Sequence, residues 1–354
     1  MKIIITAILV FSVQFAFAQD VRLAGVEYFD YLKAPVKNNA GDYSSSFQEF
    51  AAFASFPVQS KDRKTTIING FQYALVQTSV FNNASHVTER RDFQSITYNF
   101  SFVQSLDDKW KIAGSLMPSL ASDFRDKLSS DDFFVQGYLA GIRKLSEFSS
   151  VGGGITYTTT LGSPLLLPVV YFRYNKGRQK VDVELPMVAE YAYRLDDLDK
   201  VNVGFRMGLN GTNFHVSADN ISSNTNVDKL SYSRINVGPV IGYTIAKSLK
   251  LEATGGMSVA RKFEFLTAGD AKNFMLNSNS TGFFNINLFL IAPSRQAKKQ
   301  YIYPLLSDRI SAANFARVSF SGFFPAIILR PASLSQIERP LSSSGHPFLP
   351  YLKG

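Results

Sequence analysis

The residues whose types and spacing could carry chemistry are charged side chains that alternate with apolar ones. Six of them stand out along successive segments of this kind: Asp182, Glu184, Glu190, Arg206, Arg234 and Glu252. In a strand, successive side chains point to opposite faces, so these six share the face that the apolar residues do not use. The pattern predicts either an ion-pair network that braces a wall or a charged constriction that selects small polar solutes. The sequence leaves both hypotheses open.

A second candidate is the spacing His-x-Ser-x-Asp at His215, Ser217 and Asp219. An enzyme acting on lipid or peptide needs a nucleophile, a base and an orienting group within hydrogen-bond reach. Side chains two residues apart on one strand share a face without forming such a triad, and the spacing is common by chance. We therefore do not predict an enzyme, and catalysis at the membrane rim remains an alternative.

Carboxylates cluster at two polar turns, one with Asp131 and Asp132 and one with Asp196, Asp197 and Asp199. Each turn could bind calcium weakly through oxygen ligands, but aspartate also favours turns because its side chain bonds to the nearby backbone. The chain has no cysteine and three histidines. The lack of cysteine excludes disulfides, a thiol nucleophile and Cys-ligated zinc or iron–sulfur sites. We predict no metal and no cofactor.

The elements that must position these residues are long segments in which apolar and polar side chains alternate. In the clearest example the two interleaved sets are Ile96, Tyr98, Phe100 and Phe102 against Ser95, Thr97, Asn99 and Ser101. Such alternation predicts strands. The segments suit tilted membrane strands of about 9–11 residues better than the roughly five- or six-residue strands of soluble proteins. A soluble barrel or sandwich is the alternative.

The predicted fold is all-β: a single antiparallel up-and-down transmembrane β-barrel of about 12 strands, apolar outside and polar inside. The segment 179–194 is counted as one strand. The alternation gives thirteen segments, whereas single-chain bacterial barrels have an even number of strands. One segment is therefore expected to be misassigned or to be an extra edge segment, and 21–29 is the weakest. Short polar turns at 106–109, 195–200 and 246–248 are expected at the periplasmic end, and longer loops at 79–92, 121–131 and 215–229 at the outer end.

The first 18 residues are typical of a secretory signal peptide. Lys2 supplies a positive start, an apolar run follows, and Ala16-Phe17-Ala18 is a small-x-small cleavage site before Gln19. The apolar run is shorter than the ~20 residues that a spanning helix needs, which favours cleavage over an uncleaved anchor. The barrel is then expected to occupy residues 19–291.

Several motifs of the barrel segment resemble those of an uncharacterised outer-membrane β-barrel family of Bacteroidota. They are Trp110 with Gly114, the stretch Pro118 to Phe124, Ser129 to Gly137, Gly162 to Pro168, Leu185-Pro186 and Gly208 to Phe214. The similarity covers roughly residues 20 to 291. It implies a barrel in the outer membrane. It implies no activity, since the family carries a domain-of-unknown-function label, so no catalytic or binding residue is transferred.

Residues 292–354 differ from the barrel segment in composition. They contain eight Lys or Arg against two acids, and seven of the fourteen prolines. We predict an irregular C-terminal tail that is a mobile extension near anionic lipid, an interaction segment, or a stretch translated out of frame, which we favour. Because the excess positive charge of the chain lies mostly here, it does not indicate nucleic-acid binding.

These features predict a cell outer membrane protein whose main function is passive: a narrow channel or a structural barrel of the envelope. The alternatives are an enzyme acting at the rim and a surface or assembly partner that binds through the outer loops. The expected partners are outer-membrane lipid, the barrel-assembly machinery during insertion and, for a channel, a small polar solute. No nucleic acid is expected.

Overall fold

The computed structural model describes residues 22–37, 43–86, 88–159, 161, 164–196, 200–217, 227–267 and 272–292. The predicted signal peptide lies outside these residues, as does the predicted tail apart from Ala292. Within them, no helix is long and apolar enough to cross a bilayer.

The described chain is built from antiparallel strands, together with one short 3₁₀ turn at Ser130–Asp132. The strands are β1 (Arg22–Pro35), β2 (Tyr43–Gln59), β3 (Thr65–Asn82), β4 (Thr88–Ser105), β5 (Trp110–Ser122), β6 (Phe133–Lys144), β7 (Ser149–Thr158), β8 (Leu165–Lys176), β9 (Gln179–Leu185), β10 (Val188–Arg194), β11 (Val201–His215), β12 (Lys229–Ala246), β13 (Leu249–Leu266), β14 (Lys272–Met275) and β15 (Thr281–Ile291).

Consecutive strands pair along the chain, and β15 closes the sheet by pairing with both β13 and β1. The short strand β14 pairs with the end of β13 and is not part of the ring. The result is a closed antiparallel barrel of 14 strands. The predicted fold class is confirmed, whereas the predicted number of about 12 strands is too small.

The miscounted segment is 179–194, which forms two strands, β9 and β10. The chain reverses at Pro186, whose ring nitrogen cannot donate to a sheet ladder, and the amide of Met187 donates to the carbonyl of Glu184 at 2.8 Å. Val188 then pairs with Glu184. This offset of four residues preserves the alternation, so the hairpin leaves no break in the sequence pattern. The segment that seemed weakest, 21–29, belongs to the full strand β1.

The outer face of the barrel is apolar and the inner face is mostly polar. On β4, Ile96 is 50% exposed and Phe100 is 36% exposed, whereas Thr97 and Ser101 between them are buried. Other large apolar side chains exposed on the wall include Val26, Phe71, Leu116, Leu139, Ile155, Val170, Phe205, Ile241 and Ile286. A closed barrel with such a surface satisfies its backbone internally in lipid. The chain is therefore an outer-membrane barrel, as the alternation predicts.

The two ends of the barrel differ. The end that carries Arg22 and Ile291, here called the turn end, also carries the short predicted turns at 106–109 and 246–248 and the strand ends Arg194 and Val201 that flank the predicted turn at 195–200. The opposite end is called the loop end. The predicted loop 79–92 is mostly strand, because β3 reaches Asn82 and β4 begins at Thr88. The two strands extend the wall there and leave only a short connection between them.

Aromatic side chains fill the barrel near the loop end. This loop-end cluster consists of Phe29, Tyr31, Phe47, Val76, Phe93, Ala121, Phe214, Val216, Val227, Leu230, Tyr232, Phe263, Phe265 and Phe283, all buried. The rings of Phe47 and Tyr232 stack at 4.9 Å. The ends of β5 and β11 also meet across the interior, where Ser122 pairs with His215 in a parallel bridge. The barrel is thus narrowed at this end.

The lipid-facing assignment makes a depth-dependent prediction. We expect Phe205→Arg to lower the free energy of unfolding by about 2–4 kcal/mol, because a cationic side chain near mid-membrane loses its hydration. Tyr243→Arg is the matched control: Tyr243 is also exposed, but it pairs with Val201, four residues nearer the turn end. A cationic side chain near the membrane interface lowers the free energy of unfolding by only about 0–1 kcal/mol. Urea unfolding in phospholipid vesicles measures both, and equal losses would contradict this placement.

Candidate functional site

The six charged residues predicted to share the inner face lie on five strands. Asp182 and Glu184 are on β9, and each of the other four is on its own strand from β10 to β13. Asp182, Glu184, Arg234 and Glu252 are buried. The side chains of Glu190 and Arg206 are 12% and 14% exposed. The structure groups five of them on neighbouring strands and places Arg234 in a separate cluster.

The first group is the β11 network, which is centred on Arg206. Its Nε donates to Oε2 of Glu190 at 2.6 Å, and its second guanidinium nitrogen lies 3.3 Å from Oε2 of Glu252. Glu190 and Arg206 are direct cross-strand partners in the register of β10 and β11. Arg22 from β1 forms a further ion pair with Glu252. A chain of alternating charges therefore runs along this part of the inner wall.

The second group is the β9 network. Arg173 Nε donates to Oδ1 of Asp182 at 2.6 Å, and Nζ of Lys180 lies 3.1 Å from Oδ2 of the same carboxylate. Arg173 and Asp182 face each other in the register of β8 and β9. Glu184 follows on the same face of β9 and is fully buried. Buried charges of opposite sign in such contact stay ionised because each partner offsets the other's loss of hydration.

Arg234 pairs with Glu49 of β2, which is separated from β12 by β13, β15 and β1 in the ring. The contact therefore crosses the interior. Arg234 Nε also donates to the Tyr31 hydroxyl at 2.7 Å, and the Tyr232 hydroxyl donates to Glu49 at 2.8 Å. The guanidinium carbon lies 4.5 Å from the ring centre of Tyr232. This ion pair is thus embedded in the loop-end cluster and joins two strands that are not adjacent in the wall.

Sequence reasoning missed four partners: Arg22, Glu49, Arg173 and Lys180. A signal existed for Glu49, which is the one charged residue in the long strand β2. A lone charge in a membrane strand faces inward and requires a partner. Its partner could not be identified from the sequence, because a contact across the lumen depends on the number and tilt of the intervening strands.

A buried apolar cluster adjoins the β9 network toward the turn end, where the guanidinium carbon of Arg173 lies 5.7 Å from the ring centre of Tyr171. This second cluster consists of Ile68, Val103, Ala113, Tyr138, Ala140, Ile142, Val169 and Tyr171, from β3 to β8. Between this cluster and the loop-end cluster lies a cavity of about 30 Å³, with polar lining that includes Gln72, Thr97, Gln136 and Arg234. This volume is large enough for about two waters. The interior is therefore narrow, and its polar and apolar clusters adjoin each other.

The loop-end rim holds the residues considered for catalysis. His215 Nδ1 lies 2.9 Å from Oδ1 of Asp132, whereas the Ser217 hydroxyl donates to Oδ1 of Asp123 at 2.6 Å. The serine and the histidine are engaged by different carboxylates, so this geometry does not form a nucleophile–base pair. Asp219 lies outside the described residues.

The carboxylate of Asp132 is held by the short turn that contains it. It accepts a hydrogen bond from the Ser129 amide at 2.7 Å. Burial opposes its ionisation, but hydrogen bonds from Ser129, Ser122 and His215 outweigh that effect, so the pKa of Asp132 lies below its usual range. Asp131, His215 and Asp228 each offer one ligand atom, and these three atoms lie within 4.8 Å of one another. Among the described residues, this is a group that could hold a metal ion.

Comparison with known proteins gives several solved structures of low identity. The COG4313 outer membrane channel from Pseudomonas putida F1 is 11% identical over 79% of this chain and 100% of that chain, with a TM-score of 0.42. The Pseudomonas putida toluene transporter TodX is 9% identical over 78% and 90%, with a TM-score of 0.36. The NanC porin is 8% identical over 75% and 100%, with a TM-score of 0.28.

No curated protein matches the chain. The model of one family, described as a domain of unknown function (DUF6268), matches residues 14–293, which is most of the sequence. The chain therefore belongs to the DUF6268 family.

Proposed function

We propose that this outer-membrane barrel is a narrow passive channel for small polar solutes and that the described conformation is its closed state. The observation that carries the proposal is the pair of charged networks on the inner wall from β8 to β13 and β1. Fixed charges and hydrogen-bonding groups that line a pore replace part of the hydration shell of a polar solute.

The balance of positive and negative charge in the two networks determines which class of solute the channel would admit. The two networks contain four basic side chains, Arg22, Arg173, Lys180 and Arg206, and four acidic ones, Asp182, Glu184, Glu190 and Glu252. No sign dominates, so neither cations nor anions are strongly excluded. Such a wall suits neutral or zwitterionic polar molecules, and the adjoining apolar cluster offers a surface for their carbon skeletons.

The closed state follows from the loop-end cluster. The ion pair of Glu49 with Arg234 and the stack of Phe47 on Tyr232 cross the interior between β2 and β12. Passage of a solute requires these side chains to move aside. This filling also favours a second candidate function, a structural barrel of the envelope that never opens, and the experiments below separate the two.

The remaining alternatives have weaker support. An enzyme at the rim would need Ser217 to be activated by a base, and its hydroxyl instead donates to Asp123. Binding of an assembly partner through the outer loops, contact with lipid and handling by the barrel-assembly machinery stay predictions. The assignment to Bacteroidota also stays a prediction, supported by the motif resemblance.

Opposite charge changes in one ion pair are expected to shift ion selectivity in opposite directions. Arg206→Gln leaves the β11 network with excess negative charge and favours cations, whereas Glu190→Gln leaves it with excess positive charge and favours anions. Reversal potentials in planar bilayers under a salt gradient measure both shifts. Lys61→Gln, in the exposed turn between β2 and β3, is the control and is expected to match the wild type. Shifts in the same direction for both variants would contradict a solute path along this wall.

Removing the stacked rings is expected to open the barrel. The double variant Phe47→Ala/Tyr232→Ala leaves space in the loop-end cluster and should raise single-channel conductance several-fold above the wild type. Phe71→Ala, which removes an exposed ring from the outer face, is the matched control and should leave conductance unchanged. Folding of each variant is checked by its heat-dependent mobility on gels. A folded double variant that stays silent in bilayers would reject the channel and leave the structural barrel.

A further inference from the structure

We propose that Asp131, His215 and Asp228 bind a divalent transition-metal ion, Zn²⁺, at the loop-end rim. This site does not depend on whether the barrel conducts. Its three side chains come from two separate connections: Asp131 from the one between β5 and β6, and His215 and Asp228 from the two sides of the one between β11 and β12. Their ligand atoms lie within 4.8 Å of one another.

The orientation of His215 is the first argument. Its Nδ1 lies 2.9 Å from Oδ1 of Asp132, a carboxylate oxygen that accepts hydrogen bonds. Nδ1 therefore carries the proton and donates. In the neutral imidazole, Nε2 then has a free lone pair. A carboxylate that orients a ligating histidine through its other nitrogen is the usual support of zinc-binding imidazoles.

The surroundings of Nε2 are the second argument. Nε2 lies 3.8 Å from Oδ1 of Asp228, and Asp131 is the third member of the group. In the tautomer with the proton on Nδ1, the Nε2 lone pair is free to bind a metal ion. The ligand atoms of the two carboxylates and the imidazole lie close enough together to share one ion. A metal ion between them satisfies all three acceptors at once.

The distances suit a small ion after modest adjustment. Zinc binds imidazole nitrogen and carboxylate oxygen at about 2.0–2.2 Å in tetrahedral geometry, which puts neighbouring ligand atoms about 3.3–3.6 Å apart. The Nε2 to Asp228 distance of 3.8 Å is close to this range. Asp131 is exposed and can rotate inward. Mixed imidazole and carboxylate ligands favour zinc over calcium or magnesium, which prefer oxygen alone. Three protein ligands leave a fourth position for water.

The backbone around the site is fixed before any ion binds. The amide of Val216 donates to the carbonyl of Asp228 at 2.9 Å, and the amide of Asp123 donates to the carbonyl of His215 at 3.3 Å. Ser129 and Asp132 cap the short turn reciprocally. A metal here would join the β5–β6 connection to the β11–β12 connection above the loop-end cluster. It would therefore hold the two connections together at the narrowed end of the barrel.

Titration calorimetry of the full chain tests the site, with ZnCl₂ added to the folded barrel in detergent and no histidine tag present. We expect one Zn²⁺ per chain, with the binding heat lost in His215→Ala and strongly reduced in Asp228→Asn. Asp132→Asn keeps all three ligands and should weaken affinity about 10–100-fold, the usual effect of removing such an orienting partner. His86→Ala and His346→Ala change the other two histidines and should bind as the wild type does.

Asp131→Asn keeps the test informative if the His215 variant fails to fold, because Asp131 is exposed. It should fold as judged by heat-dependent gel mobility and still bind Zn²⁺ more weakly. Equal binding by the wild type, Asp131→Asn and Asp228→Asn would overturn the proposal, as would loss of binding in His86→Ala or His346→Ala alone. Binding of Ca²⁺ in place of Zn²⁺ that persists in His215→Ala would reject the imidazole site as well.

Discussion

The structure depends on the absence of a free sheet edge. In lipid no water can satisfy an exposed backbone amide or carbonyl, so a sheet that crosses the membrane must close. Here closure is made by β15, which pairs with β1 on one side and β13 on the other. That constraint makes the strand number even, puts both ends of the described chain at the turn end, and turns alternate side chains toward lipid and toward the interior.

The width and charge of the barrel interior depend on which charged and aromatic side chains contact each other. Arg206 pairs with Glu190 and Asp182 with Arg173 on an adjacent strand, and the Arg206–Glu252 pair spans one intervening strand, so these contacts stiffen the wall. Arg234 and Glu49 instead span the interior, inside an aromatic cluster. A barrel of this size therefore has a charged wall on one side and a bridged, filled section toward the loop end. The same narrowing brings His215 against the β5–β6 connection, which creates the rim group.

Alternation in the sequence predicts the fold class and the orientation of residues such as Ile96 and Thr97, because the period of a strand is a local property. It does not predict the strand count, since the hairpin at Pro186 preserves the alternation. It does not predict the partner of Arg234, which depends on the closed ring. The rim group of Asp131, His215 and Asp228 was also missed, because its members are up to 97 positions apart and meet only after β5 and β11 converge.

Closure between β1 and β15 is tested most directly by a disulfide across that seam. Val26 and Leu288 are exposed register partners, and the chain has no native cysteine. The account predicts that Val26→Cys/Leu288→Cys, folded into lipid vesicles and oxidised, forms an intramolecular disulfide in high yield, whereas the out-of-register pair Val26→Cys/Phe284→Cys does not. Absence of the bond in the in-register pair, or equal yields for both pairs, would contradict the closed barrel.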